Sequence, residues 1–122
     1  MSLLLIHSRL ATTGMLYSAA VGLWALYLAF RKRDLDANFW GALAINEIIF
    51  IVEAVLGVTM WAQGLRPGRL IHILYGIVAI ITIPSAFAFT RGRGTRREAL
   101  IYGALCLFLA GVAIRAATTA GL

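Results

Sequence analysis

At 122 residues the chain is too short for more than one ordinary domain. Apolar residues make up 61% of it, charged residues only 13%, and its mean hydropathy is +0.89, which excludes an ordinary soluble domain, where about a quarter of residues are charged. The net charge of +6 would suit nucleic acid, but the basic residues fall in short connectors between apolar runs, as in a protein oriented in a lipid bilayer. No nucleic-acid partner is expected.

Four apolar runs are each long enough to cross ~30 Å of hydrocarbon at ~1.5 Å per residue. The first covers about Leu10–Phe30 and extends back as far as Leu3. It differs from a signal peptide because its basic cluster follows the run and no small-residue cleavage site comes after it, so a retained helix is expected. The second covers about Phe39–Trp61, the third Leu70–Phe89 and the fourth Ala99–Ala117. Pro84 inside the third run predicts a kink. The connectors RKRDLDAN, AQGLRPGR and TRGRGTRRE are short, so consecutive helices are antiparallel neighbours. The expected fold is an all-α integral membrane protein, a single domain over residues 1–122 built as an antiparallel four-transmembrane-helix bundle.

Arg31, Lys32, Arg33, Arg91, Arg93, Arg96 and Arg97 lie in the first and third connectors, against Arg9, Arg66, Arg69 and Arg115 on the other side. The excess of positive charge points to the cytoplasm, placing both termini on the outer side of the cell's inner membrane. Trp24, Trp40, Trp61, Tyr27 and Tyr102 lie near helix ends, as interfacial anchors would. Cys106 is the one cysteine. Without a partner it forms no disulfide or Cys-x-x-Cys pair, and within ALCLFLAG it reads as a small buried apolar residue.

The two histidines, His7 and His72, occupy matching places, in LLLIHSRLATTG and GRLIHILYGIVA. With this topology both enter their helices from the outer side, at depths that agree to about a turn, and the first and third helices can stand diagonally in a bundle. Neutral imidazoles so placed can ligate one haem iron from both faces. His7, Ala11, Gly14, Ser18, Gly22 and Ala25 follow a three/four spacing, as do His72, Gly76 and Ala79, and such small-residue stripes give a macrocycle clearance. The same stripes also occur in plain helix–helix packing. Arg9, Arg66, Arg69 and Arg115 lie where haem propionates would emerge and could pair with them, although each also reads as a snorkelling interfacial arginine.

The second helix carries Asn46, Glu47 and Glu53. Charge inside a span is costly, which makes both carboxylates candidates for proton transfer or a quinone site. Glu53 lies about 12 Å below the outer end of its helix, within expected reach of Tyr75 or Tyr17. Glu47 lies nearer the cytoplasmic half. A carboxyl that only bridges helices is the plainer alternative for either.

IHSRLATTGMLYSAAVGLWALYLAFRK resembles the opening helix of a haem A synthase half-domain, with a histidine, a nearby arginine and an apolar span ending in basic residues. EAVLGVTMWAQG resembles that family's Q-A-L-L-G segment, with Glu53 at the usual glutamine, and LIHILYGIVAI resembles its L-H-x-x-x-[AG] helix. The agreement runs over about residues 4–90; the fourth helix matches only in hydropathy. It implies axial haem ligation by His7 and His72. The chain departs from the family where Leu4 replaces the catalytic glutamate and Ser8 separates His7 from Arg9. It also supplies one four-helix half in place of two and lacks the cysteine-bearing loop. Haem A synthesis by this chain alone is therefore not expected.

The function expected is that of a small b-type cytochrome-like protein. Haem b would sit near the outer (periplasmic) face and exchange electrons with a quinol or a partner subunit. Such a protein is an electron carrier more than a stand-alone enzyme, and two copies pairing as a homodimer would imitate the two halves of the synthase. The alternatives are a haem-free accessory subunit of a respiratory or photosynthetic complex and, less favoured, a small proton-coupled transporter. A thiol–quinone oxidoreductase is excluded because the chain has one cysteine.

Overall fold

A computed structural model describes residues 2–120. It contains α1 (Leu3–Phe30), α2 (Ala37–Ala62), α3 (Ile71–Thr90) and α4 (Arg96–Thr119), each long and apolar enough to cross a membrane. Helix starts follow local chemistry. The Ser2 hydroxyl accepts from the Leu5 N–H, and the Asp36 carboxylate accepts from the Phe39 N–H. The Glu98 carboxylate turns back to accept from both the N–H and the hydroxyl of Thr95. These contacts satisfy donors that a helix leaves unpaired in its first turn. α3 ends in left-handed residues, with Arg91 at φ 53° and Gly92 at φ 69°. Pro84 is carried within a continuous α3.

Neighbouring helices run antiparallel. α1 packs on α2 and α4, and α3 packs on the same two, so α1 and α3 stand on one diagonal. At one end of the bundle the connectors meet, where the Leu35 N–H donates to the Gly94 carbonyl at 2.7 Å and the Arg96 guanidinium to the Ala29 carbonyl at 2.7 Å. We call this the basic end. At the other, the Arg69 N–H bonds the Thr119 carbonyl at 3.2 Å, fastening the α2–α3 connector to the C-terminus of α4. Both histidines lie there, at the histidine end.

The two ends are packed differently. The basic half is dense. Phe39, fully buried, makes edge-to-face contacts with Trp24, Trp40 and Tyr102. The Asn46 amide donates to Ser18 Oγ at 3.4 Å, and Ser18 donates to the Cys106 carbonyl at 2.8 Å, linking α2, α1 and α4 through buried groups. Gly22 and Gly103 let α1 and α4 approach until an added Cβ on Gly22 would lie 3.0 Å from the Gly103 carbonyl oxygen. Toward the histidine end this density thins on three of the helices, while α4 stays buried through Val112, Ala113 and Thr119. Among the described residues, α1 has no fully buried position before Gly14, α2 none between Phe50 and Met60, and α3 none before Ala79.

Three aromatic expectations change. Tyr102 is not an interfacial anchor. It is fully buried, with its hydroxyl 3.1 Å from that of Thr90, because it points into the bundle where α3 and α4 meet. Trp24 and Trp40 likewise pack, partly buried, against this cluster. Tyr27 and Trp61 remain outward, each under an arginine, with Arg31 5.9 Å and Arg66 3.8 Å from the ring centroids. The apolar side chains left outside the bundle, among them Leu16, Ile48, Val58 and Phe89, give it the surface expected of a multi-pass membrane protein.

Candidate functional site

The loosely packed end brings together one polar cluster of His7, His72 and Glu53. The imidazoles approach across the α1–α3 diagonal with ring centroids 6.3 Å apart and planes at 68°. Rings in simple edge-to-face contact also fall in this range, so the surrounding hydrogen bonds carry more information than the distance. His72 Nδ1 lies 2.7 Å from the backbone carbonyl oxygen of Ala116 on α4. A carbonyl only accepts, so Nδ1 holds the proton and Nε2 keeps its lone pair. His7 Nδ1 lies 3.4 Å from Glu53 Oε2 on α2, a charge-pair distance that lacks the alignment of a full hydrogen bond. No hydrogen bond fixes the tautomer of His7, whereas His72 has Nδ1 held by a partner on a neighbouring helix and Nε2 available.

This is the form that histidine takes as a metal ligand, with the second ring nitrogen fixed by a carbonyl or carboxylate. A metal–imidazole bond is about 2 Å and the ring centre lies ~1 Å behind the nitrogen, so two imidazoles sharing one ion end to end have centroids about 6 Å apart. The observed separation fits. The surroundings fit as well: an added Cβ on Gly76 would meet nothing within 4 Å, and the nearest atom to one on Gly57 would be His7 Cε1 at 3.7 Å. Among the described residues no group of three or more His, Cys, Asp or Glu side chains is arranged to hold a metal ion.

The remaining residues singled out from the sequence separate. Gly14 is not beside the imidazoles. It faces α2, where an added Cβ would stand 3.1 Å from Ile49 Cγ2, and Gly22 faces α4, so most of the first small-residue stripe serves helix packing. Tyr17 does not reach Glu53; its hydroxyl donates to the Ala42 carbonyl at 2.8 Å. Tyr75 lines an apolar groove of about 410 Å³ between α3 and α4, together with Leu74, Val78, Phe108, Gly111 and Arg115. Arg66, in the α2–α3 connector, folds back onto the end of α2, donating to the Trp61 carbonyl at 2.6 Å, while Arg9 and Arg69 are exposed at the same end. Both Glu47 carboxyl oxygens are buried without a hydrogen-bond partner, as is Oε1 of Glu53.

Two partners were not anticipated. Ala116 enters through its backbone, which no side-chain pattern marks. Glu53, expected within reach of Tyr75 or Tyr17, instead faces His7 Nδ1 at 3.4 Å. Its seven-residue spacing from the buried Asn46 places both on the inner face of α2.

No family model, curated protein or solved structure matches this chain. What can be said of its function therefore rests on the cluster.

Proposed function

We propose that the chain is a membrane-embedded b-type cytochrome that holds one haem between His7 and His72. The observation that carries this reading is the pair of imidazoles 6.3 Å apart on diagonal helices, one of them locked by Ala116 in the tautomer that leaves Nε2 free. A bound haem would supply one-electron chemistry, the iron passing between its ferric and ferrous states. The protein's part is to occupy both axial positions. Doing so leaves no coordination site for oxygen and favours electron transfer to or from a quinol or a partner subunit. The open flank at Gly76 provides clearance for a flat ring. Arg9, Arg69 and Arg115 are the cations at this end free to meet carboxylates at the water boundary.

The resemblance to half of a haem A synthase supports the same ligand pair, and Leu4 in place of the catalytic glutamate argues against that family's reaction here. The distribution of basic residues supports an inner-membrane protein with the histidine end toward the periplasm.

The test is haem stoichiometry in protein purified from haem-replete cells. Wild type is expected to carry about one haem per chain, and His7→Ala or His72→Ala to lose it while keeping full helix content. Variants that keep wild-type haem would contradict the assignment of these ligands.

A further inference from the structure

The groove between α3 and α4 has apolar walls and one cation on its rim. Tyr75, Val78 and Phe108 line it, and Arg115, itself exposed, stands at the end nearest the C-terminus of α4. From Phe108 to Arg115 it follows α4 for about 10 Å, or two turns. Gly111 lies between them, and an added Cβ there would meet nothing within 4 Å. Hydrogen bonds between the two helices fix the seam beyond both ends of the groove. His72 Nδ1 meets the Ala116 carbonyl at 2.7 Å on one side, and the Thr90 and Tyr102 hydroxyls lie 3.1 Å apart on the other. The charge on the rim is unanswered within the bundle. Among the described residues the one ion pair is that of His7 with Glu53, and Asp34, Asp36 and Glu98 all lie at the basic end.

We propose that this groove is a binding site for an anionic phospholipid, with an acyl chain along Tyr75, Val78 and Phe108 and the phosphate paired with Arg115. An arginine one turn short of a helix end lays its apolar stem along the span and raises its guanidinium to headgroup level. There its forked donors match the oxygens of a phosphate. A second copy of the chain suits the groove less well. Two-fold pairing through this seam would bring the same surface, Arg115 included, from both copies. The described residues bring no carboxylate to this end except Glu53, which is turned inward to His7. The site is independent of a haem between α1 and α3, for whose carboxylates Arg9 and Arg69 remain.

Protein purified in neutral detergent is titrated with phosphatidylglycerol or with phosphatidylcholine of the same acyl chains, and retained lipid is counted by native mass spectrometry. Wild type is expected to hold one phosphatidylglycerol about 5-fold more tightly than phosphatidylcholine, the factor that one arginine contributes at an anionic headgroup. Arg115→Gln is expected to abolish that preference. Gly111→Leu fills space that no other atom occupies and is expected to weaken retention of both lipids while leaving helix content intact. Arg31→Gln removes the same charge at the basic end and is expected to change neither. Equal retention of the two lipids by wild type would overturn the site, as would a preference that survives Arg115→Gln or falls equally in Arg31→Gln. A wild-type dimer that Gly111→Leu separates would also overturn it, giving the groove to a second copy.

Discussion

Buried polar side chains in this bundle differ in what they leave behind when removed. Tyr102 shares its hydroxyl with Thr90, but Thr90 also donates to the Ala86 carbonyl at 2.9 Å. Tyr102→Phe therefore strands no partner and is expected to cost only about 0.5–1 kcal/mol, typical of a single hydrogen bond between membrane helices. Tyr27→Phe, on an outward ring, should cost nothing measurable. Unfolding of the purified variants in mixed micelles against SDS separates the two. The histidines were legible from the sequence because they are two polar residues at matching places in apolar runs. Tyr102 was misread because its distance from a helix end says nothing about which way it points, and α4 turns that face toward α3.

The elements were easier to read than their contacts. All four helices appear where hydropathy puts them; α2 and α4 start two and three residues before the apolar runs, capped by Asp36 and Thr95, and α3 starts at Ile71, one residue later than expected. Which small residues make close crossings was not readable, since stripes at Gly14, Gly22 and Gly76 look alike. They differ because α1 touches α2 through Gly14 and α4 through Gly22, while Gly76 touches neither neighbour. An added Cβ on Gly22 would lie 3.0 Å from a backbone oxygen and 3.1 Å from the Leu107 nitrogen, atoms that cannot swing aside as a side-chain tip can. Gly22→Ala is accordingly expected to destabilise the bundle by about 1–3 kcal/mol. Gly41→Ala, where nothing lies within 4 Å, should be neutral or mildly stabilising. SDS unfolding midpoints of the two variants check the contrast.

At the scale of the whole molecule, the bundle is dense at its basic end and open at its histidine end. The dense half fixes the helix arrangement through Phe39, the Asn46–Ser18–Cys106 chain and the Gly22–Gly103 crossing. The open half then holds His7, His72 and Glu53 at positions set from a distance. With seven basic residues at the dense end, Arg31, Lys32, Arg33, Arg91, Arg93, Arg96 and Arg97, that end is expected in the cytoplasm. In intact cells a single cysteine at Ser2 or Thr118 should react with an impermeant maleimide, and one at Asp34 should not. Reaction only at Asp34 would reverse the orientation.

Haem binding between the two imidazoles is the property on which the proposed function stands. It is tested most directly by the absorption spectrum of the purified protein, oxidised and then reduced with dithionite. A Soret band that sharpens and shifts on reduction is expected, together with the narrow visible bands of a low-spin, six-coordinate b-type haem. Protein isolated from haem-replete cells with no Soret absorption would contradict it.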